Sequence, residues 1–161
     1  RAECGARRGV TLVLEPGRFL VADAGVLLTR VLHVKAGEPR HVIADAGMAD
    51  LLRPALYGAH HPVRQVGTAR PANGPDASYR TTDLDGPLCE NADRLAQGLV
   101  LGQVAPGDLL AVERAGAYGF AMASNYASSL RPAEVTWDGA LLKLARRRER
   151  PEDLWRLEDP A

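Results

Sequence analysis

A phenol set among residues too small to crowd it is where this chain first points to chemistry. Tyr118 lies in Ala115-Gly-Ala-Tyr-Gly-Phe-Ala-Met-Ala-Ser-Asn-Tyr126. Gly116, Ala117 and Gly119 let a ligand approach the backbone, and glycine takes a positive φ without steric cost. Taken alone, the motif suits a plain β-turn with a surface tyrosine equally well. Glu15-Pro-Gly-Arg18 follows an apolar run, and ligands of α/β folds collect beyond the carboxyl ends of strands. There Gly17 admits a phosphate close to the backbone, and Arg18 can grip an anion with two parallel hydrogen bonds. The plainer account is a strand-to-helix turn with a solvated arginine.

Arg53 and Tyr57 are spaced i, i+4, so one helical face presents a guanidinium beside a phenol, a pair suited to a carboxylate. A surface arginine with a packing tyrosine has the same spacing. Cys89-Glu90 follows the turn Gly86-Pro87 and offers a thiol able to act as a general acid beside a carboxylate able to bind an ammonium group. A free cysteine by itself is more often a small buried hydrophobe. No further Cys or His stands at ligand spacing, so no metal site is expected. His60-His61 precedes Pro62 and reads as loop, and Arg146 to Arg150 reads as a solvated strand end. Gly-x-Ser-x-Gly, Walker-type and dinucleotide glycine motifs are absent from the sequence.

These residues need elements to hold them. Val10–Leu14 is a continuous apolar run before Pro-Gly and reads as a strand buried on both faces, as in a parallel sheet under helices. A short helix is expected over Phe19–Gly25, then a strand over Val26–Val34, a turn over Lys35–Pro39 and a returning strand over His41–Asp45. Met48–Leu56 reads as a helix that Pro54 must bend or end, and Gly67–Asp76 as an exposed loop. Short strands follow at Ser78–Asp83, Gln97–Leu101 and Asp108–Glu113. Pro132–Trp137 and Ala140–Arg146 flank Asp138-Gly139, a two-residue hairpin signal, and Pro151–Leu157 reads as a terminal helix. The fold class is therefore mainly β with an α/β remnant, the remnant parallel and the rest mostly antiparallel in a barrel or sandwich.

The chain has 161 residues and 46% hydrophobic side chains, enough for one real core. Twenty basic and 20 acidic residues cancel, which leaves no electrostatic case for a nucleic-acid or membrane partner. No apolar run approaches the roughly 20 residues that span a bilayer. Cys4 and Cys89 make no disulfide framework, so a reducing, cytoplasmic compartment is expected.

In their order, Glu15–Arg18, Asp45–Met48 with Arg53-Pro-Ala-Leu-Tyr57, Gly86-Pro-Leu-Cys-Glu90, Ala115–Tyr126 and Arg131-Pro-Ala-Glu134 resemble the diaminopimelate decarboxylase family. The likeness covers nearly the whole chain but only the C-terminal part of that family. Its members are alanine-racemase-like decarboxylases dependent on pyridoxal 5'-phosphate. They pair a (β/α)8 barrel with a C-terminal β-barrel domain, work as homodimers with shared active sites, and turn meso-2,6-diaminopimelate into L-lysine and CO2. The resemblance implies that residues 1–25 end the (β/α)8 barrel and residues 26–161 form the β-barrel domain. It implies that Glu15, Pro16, Gly17, Arg18 and Tyr118 bind the cofactor. Arg18, Arg53, Tyr57, Glu90 and Tyr118 would bind substrate, with Cys89 as the proton donor reaching in from the partner subunit.

Two stretches depart from the family pattern. Asn125-Tyr126 continues as Ala-Ser-Ser-Leu-Arg-Pro where Asn-Ser-Arg-Pro-Arg-Pro is usual, and Asn91 stands in place of a serine after Glu90. Lys35 and Lys143 are the only lysines, and neither lies where the amine that holds the cofactor would be needed. That lysine is expected upstream of Arg1, and the chain alone is expected to be inactive. Two other readings stay open: a decarboxylase of the same fold acting on ornithine, arginine or carboxynorspermidine, and a non-catalytic dimerisation module.

Overall fold

β1, Leu27–Lys35, joins the two halves of the main sheet, and its sequence shows how. Thr29 and Val31 are buried while Leu28, Arg30 and Leu32 are exposed, the alternation of a strand with one buried face. Between Val31 and His33 the register slips in a β-bulge, so Leu32 and His33 are both exposed and Val34 turns back inward. Residues 27–30 of the strand pair with β6, Leu109–Val112, while Val31 and the residues beyond the bulge pair with β2, Arg40–Ala44. One strand thus serves two differently directed halves of a curved sheet.

The structure is a computed structural model and describes residues 11–67 and 80–158. Its main sheet runs β3 (Val63–Val66), β6, β1, β2, β4 (Arg80–Asp85), β5 (Arg94–Leu101). The edges β3 and β5 approach without pairing, so the sheet curls into an open half-barrel. The mainly β expectation holds, and the barrel stays unclosed. β2 and β4 run parallel, and every other ladder of this sheet is antiparallel. The long connection after β2 permits that parallel pairing, since it carries α2 (Arg53–Tyr57) and β3.

Val31, Val42, Leu84, Leu95, Leu110 and Val112 are fully buried inside the curl. Each such side chain contributes about 1.5–3 kcal/mol of burial free energy. Arg40 is buried too. Its Nε and Nη2 donate to Thr82 Oγ1 at 3.0 and 2.8 Å, and Nη2 also donates to the carbonyls of Leu101 and Gly102 at 2.9 and 2.8 Å. Burial pushes its pKa down, and these acceptors meet donors that would be costly to leave unpaired. One guanidinium thereby ties β2, β4 and the end of β5 together.

Several elements differ from the sequence expectation, each for a local reason. From Thr11 to Leu14 no strand forms among the described residues, and Leu12, Val13 and Leu14 are exposed. A strand apolar on both faces needs neighbours on both sides, and the described residues supply none. The helix expected over Met48–Leu56 is α2, Arg53–Tyr57. Before it, the chain from Gly47 to Asp50 forms a turn in which the Gly47 amide donates to Asp50 Oδ2 at 2.9 Å. Pro54 lies in the first turn of α2, where its missing N–H costs nothing.

β7 (Glu134–Trp137) and β8 (Leu142–Arg146) form a separate hairpin. The two-residue turn expected at Asp138-Gly139 is a four-residue loop, because Trp137 pairs with Leu142. Asp138 Oδ1 accepts the Ala140 and Leu141 amides at 3.1 and 3.0 Å, so a side chain completes the turn. Short helices stand at α1 (Gly17–Val21), α3 (Gly119–Met122) and α4 (Pro151–Leu154). The loop expected over Gly67–Asp76 lies almost wholly outside the described residues. Among the described residues no helix is long and apolar enough to cross a membrane.

Candidate functional site

A buried carboxylate with no helical or strand pattern to announce it organises the site. Asp93 is 3% exposed, its Oδ1 accepts the Met48 amide at 2.6 Å, and its Oδ2 accepts the Leu88 amide at 2.7 Å. Gly47 and Gly86 press against it so closely that a Cβ on either would overlap the carboxylate. The Gly86 amide also donates to the Asp93 carbonyl at 2.8 Å. The turn leading into α2 and the loop carrying Cys89 are therefore gathered on one side chain. On the other flank Asp45 Oδ1 accepts the Thr29 hydroxyl at 2.7 Å and the Arg30 amide at 2.8 Å, which fixes that turn to β1.

α2 then presents Arg53 and Tyr57 on one face. The Arg53 guanidinium carbon sits 5.7 Å from the Tyr57 ring centre and 5.5 Å from that of Tyr118, within cation–π range of both. Tyr57 and Tyr118 are both exposed, so the cluster faces open space. Tyr118 has φ 61, a left-handed conformation uncommon for a non-glycine residue, and it enters α3 there. Phe120 anchors α3 from behind, with the guanidinium carbon of Arg146 4.5 Å and that of Arg131 5.5 Å from its ring centre.

Glu15, Pro16, Gly17 and Arg18 are all exposed at the start of α1. Their link to Tyr118 runs through backbone. The Ala115 amide donates to the Gly25 carbonyl at 2.9 Å, and the Gly116 amide donates to the Ala22 carbonyl at 3.0 Å. Gly25 and Gly116 face one another across this contact, and a Cβ on Gly116 would overlap the Val21 carbonyl. Glycine is required at Gly116 for close approach alone. Beyond Gly17 a Cβ would meet nothing within 4 Å, so the backbone there is open to a ligand.

Cys89 is a free, exposed thiol, which sets aside the buried-hydrophobe account of it. Glu90 beside it accepts the Tyr126 hydroxyl at Oε2 (3.2 Å) and the Ala92 amide at Oε1 (3.2 Å). The proposed site residues thus fall into two groups. Arg53, Tyr57 and Tyr118 converge, Cys89 and Glu90 stand with Tyr126, and among the described residues no hydrogen bond or ion pair joins the two groups. A cavity of about 310 Å³ has Pro54 and Gly58 on one wall and Asn91 and Ala92 on another.

His61 is buried and its Nδ1 lies 2.9 Å from the Glu113 carbonyl, so it donates there and fastens the chain after α2 to the end of β6. Burial pushes its pKa down. Among the described residues no group of three or more His, Cys, Asp or Glu side chains could hold a metal ion. Sequence reasoning passed over Asp93 and Tyr126. The small glycines 47 and 86 were a faint signal for the first, and the aromatic at the end of the Tyr118 motif for the second.

Residues 18–116 match the family model of the pyridoxal-dependent decarboxylase C-terminal sheet domain. The chain is 52% identical to the diaminopimelate decarboxylase of Pseudomonas aeruginosa over 92% of its own length and 34% of that relative. It is 45% identical to the Deinococcus radiodurans enzyme of the same name over 93% of the chain and 38% of that relative. The diaminopimelate decarboxylase of Helicobacter pylori, crystallised with L-lysine, superposes with a TM-score of 0.79 at 42% identity, over 89% of this chain and 34% of that one. The chain therefore spans about a third of the length of the relatives it matches. With its open half-barrel and that match over residues 18–116, the chain belongs to the C-terminal sheet domain family of the pyridoxal-dependent decarboxylases.

Proposed function

We propose that this chain is the C-terminal part of a pyridoxal-phosphate-dependent decarboxylase that converts meso-2,6-diaminopimelate to L-lysine and CO2 in the cytoplasm. Residues 1–25 end its (β/α)8 barrel, and residues 26–161 are its β domain. The observation that carries this reading is the division of its polar residues into two groups held by one framework. One group suits a carboxylate, and the other sets a thiol beside a carboxylate. In a homodimer the Cys89 group of one subunit completes the Arg53 group of the other.

The residues present fit the cofactor. Gly17 leaves open space over its backbone, Arg18 is exposed beside it, and Tyr118 is exposed on the segment hydrogen-bonded to Ala22 and Gly25, just after α1. Glu15, Pro16, Gly17 and Arg18 would hold the phosphate and Tyr118 would flank the ring. Bound pyridoxal phosphate supplies the electron sink that lets a carboxylate leave as CO2. The chain's own groups do the rest. The Arg53 guanidinium, oriented between two phenol rings, grips the carboxylate that is retained, with Arg18 and Tyr57 beside it. Glu90 holds the distal ammonium group. Cys89 keeps a proton at Sγ and gives it to the carbon from which CO2 has left.

The test uses the full-length protein. Cys89→Ala should lower turnover of meso-diaminopimelate by roughly 10²–10⁴-fold, the usual worth of a positioned general acid, while sedimentation still reports a dimer. Full activity in that variant, or faster turnover of ornithine or arginine by the parent enzyme, would refute the assignment.

A further inference from the structure

Tyr126 is a second phenol on the segment that carries Tyr118. Its hydroxyl lies 3.2 Å from Glu90 Oε2, and Cys89 and Glu90 are the ionisable groups whose charges act on it. The backbone that aims it is built at a cost. Ala127 and Ser128 follow with φ 52 and 58, two consecutive non-glycine residues in the left-handed region, each a strain that persists only where its surroundings impose it. The surroundings are visible. Asn125 Nδ2 donates to the Ser129 carbonyl at 2.9 Å and to Glu149 Oε2 at 2.6 Å. The Ser124 amide donates to the Ala49 carbonyl at 2.9 Å, in the same turn that Asp93 holds.

We propose that Tyr126 is a positioning residue for Glu90, holding one carboxylate oxygen so that the free lone pairs of both oxygens face an incoming ammonium group. This rests on the reading of Glu90 as the group that binds the distal end of a diamino acid. With Oε2 taking the phenol proton and Oε1 the Ala92 amide, the carboxylate is clamped at both ends and cannot rotate away. Each oxygen keeps acceptor capacity for the ligand. A phenol keeps its proton at neutral pH, and the hydrogen bond to the Glu90 carboxylate pushes its pKa further up.

Tyr126→Phe in the full-length enzyme retains the ring and removes the clamp. KM for a substrate with a distal ammonium should rise about tenfold, the loss of one hydrogen bond to a charged group, with kcat nearly unchanged. An analogue lacking that ammonium should show no change. On a Glu90→Gln background the same replacement should add almost nothing, the mark of two groups acting as one. A second readout needs no turnover: the Tyr126 phenol, followed by NMR of labelled tyrosine, should titrate lower in Glu90→Gln than in the parent. Failure of the decarboxylase reading would show separately, as a parent enzyme inert towards diamino acids. An unchanged phenol titration overturns the pairing, and equal KM changes for both substrates overturn the positioning role.

Discussion

At the scale of single residues, the side chains that hold the site are less conspicuous than those that face it. Asp93 reads in the sequence as one acid among 20, yet it joins the turn before α2 to the Cys89 loop, because two amides forty residues apart converge on it. Glu149 does similar work around Tyr126. It accepts Arg131 Nε at 2.7 Å, the Arg131 amide at 2.8 Å and Asn125 Nδ2 at 2.6 Å. The hydrogen bond from Arg131 is the main reason its pKa falls from 4.5 to about 2. A carboxylate whose folded pKa is depressed contributes stability that is complete above its unfolded value and is lost as pH falls through the folded one. The clamp on the Tyr126 loop should therefore hold above about pH 4.5 and loosen towards about pH 2. Side-chain amide resonances of Asn125 should shift across that window, and a shift centred near neutral pH would contradict the assignment.

At the scale of elements, much of the order was legible. The strand over Val26–Val34, the return at His41–Asp45, and the strands near residues 80, 97 and 109 all appear within a few residues of their expected bounds. Alternation and turn residues are local signals, and a half-buried antiparallel strand obeys them. The failures were equally physical. Asp50 takes up the Gly47 amide and shortens α2, and Asp138 lengthens the β7–β8 loop. In both, a side-chain oxygen competes with backbone pairing. The Gly25–Gly116 contact is the element-level hinge of the site, since it carries α1 against the Tyr118 segment. Gly116→Ala should cost about 1–3 kcal/mol of stability, as overpacking does, and in the full-length enzyme it should weaken cofactor binding. Denaturant unfolding with a midpoint unchanged from the parent would show that the contact tolerates a methyl group.

At the scale of the whole molecule, the described surface leaves many large apolar side chains unburied. Leu12, Val13, Leu14 and Phe19 lie exposed near α1, and Val135, Trp137, Leu142 and Leu144 lie exposed on the β7–β8 hairpin. Apolar area of this kind marks contact surface more often than ordinary exterior. The lysines give a direct prediction at this scale. Lys35 ends β1 beside a hairpin turn, and Lys143 pairs with Asp138 at 3.7 Å. Neither belongs to the Arg53–Tyr57–Tyr118 cluster. The chain by itself, mixed with pyridoxal phosphate, should develop no saturable visible absorbance, and a saturable band would show that an amine of this chain holds the cofactor.

The sequence by itself determined the mainly β class, the order of the strands and the chemical character of Glu15–Arg18, Arg53, Tyr57, Cys89, Glu90 and Tyr118. Those depend on residue type and short-range spacing, which the chain carries without folding. Only the tertiary structure decided that the sheet stays open, that Asp93 unites two distant loops, and that Tyr126 meets Glu90 while Tyr118 meets Arg53. Each of these joins residues far apart along the chain, and periodicity and propensity act over one or two turns.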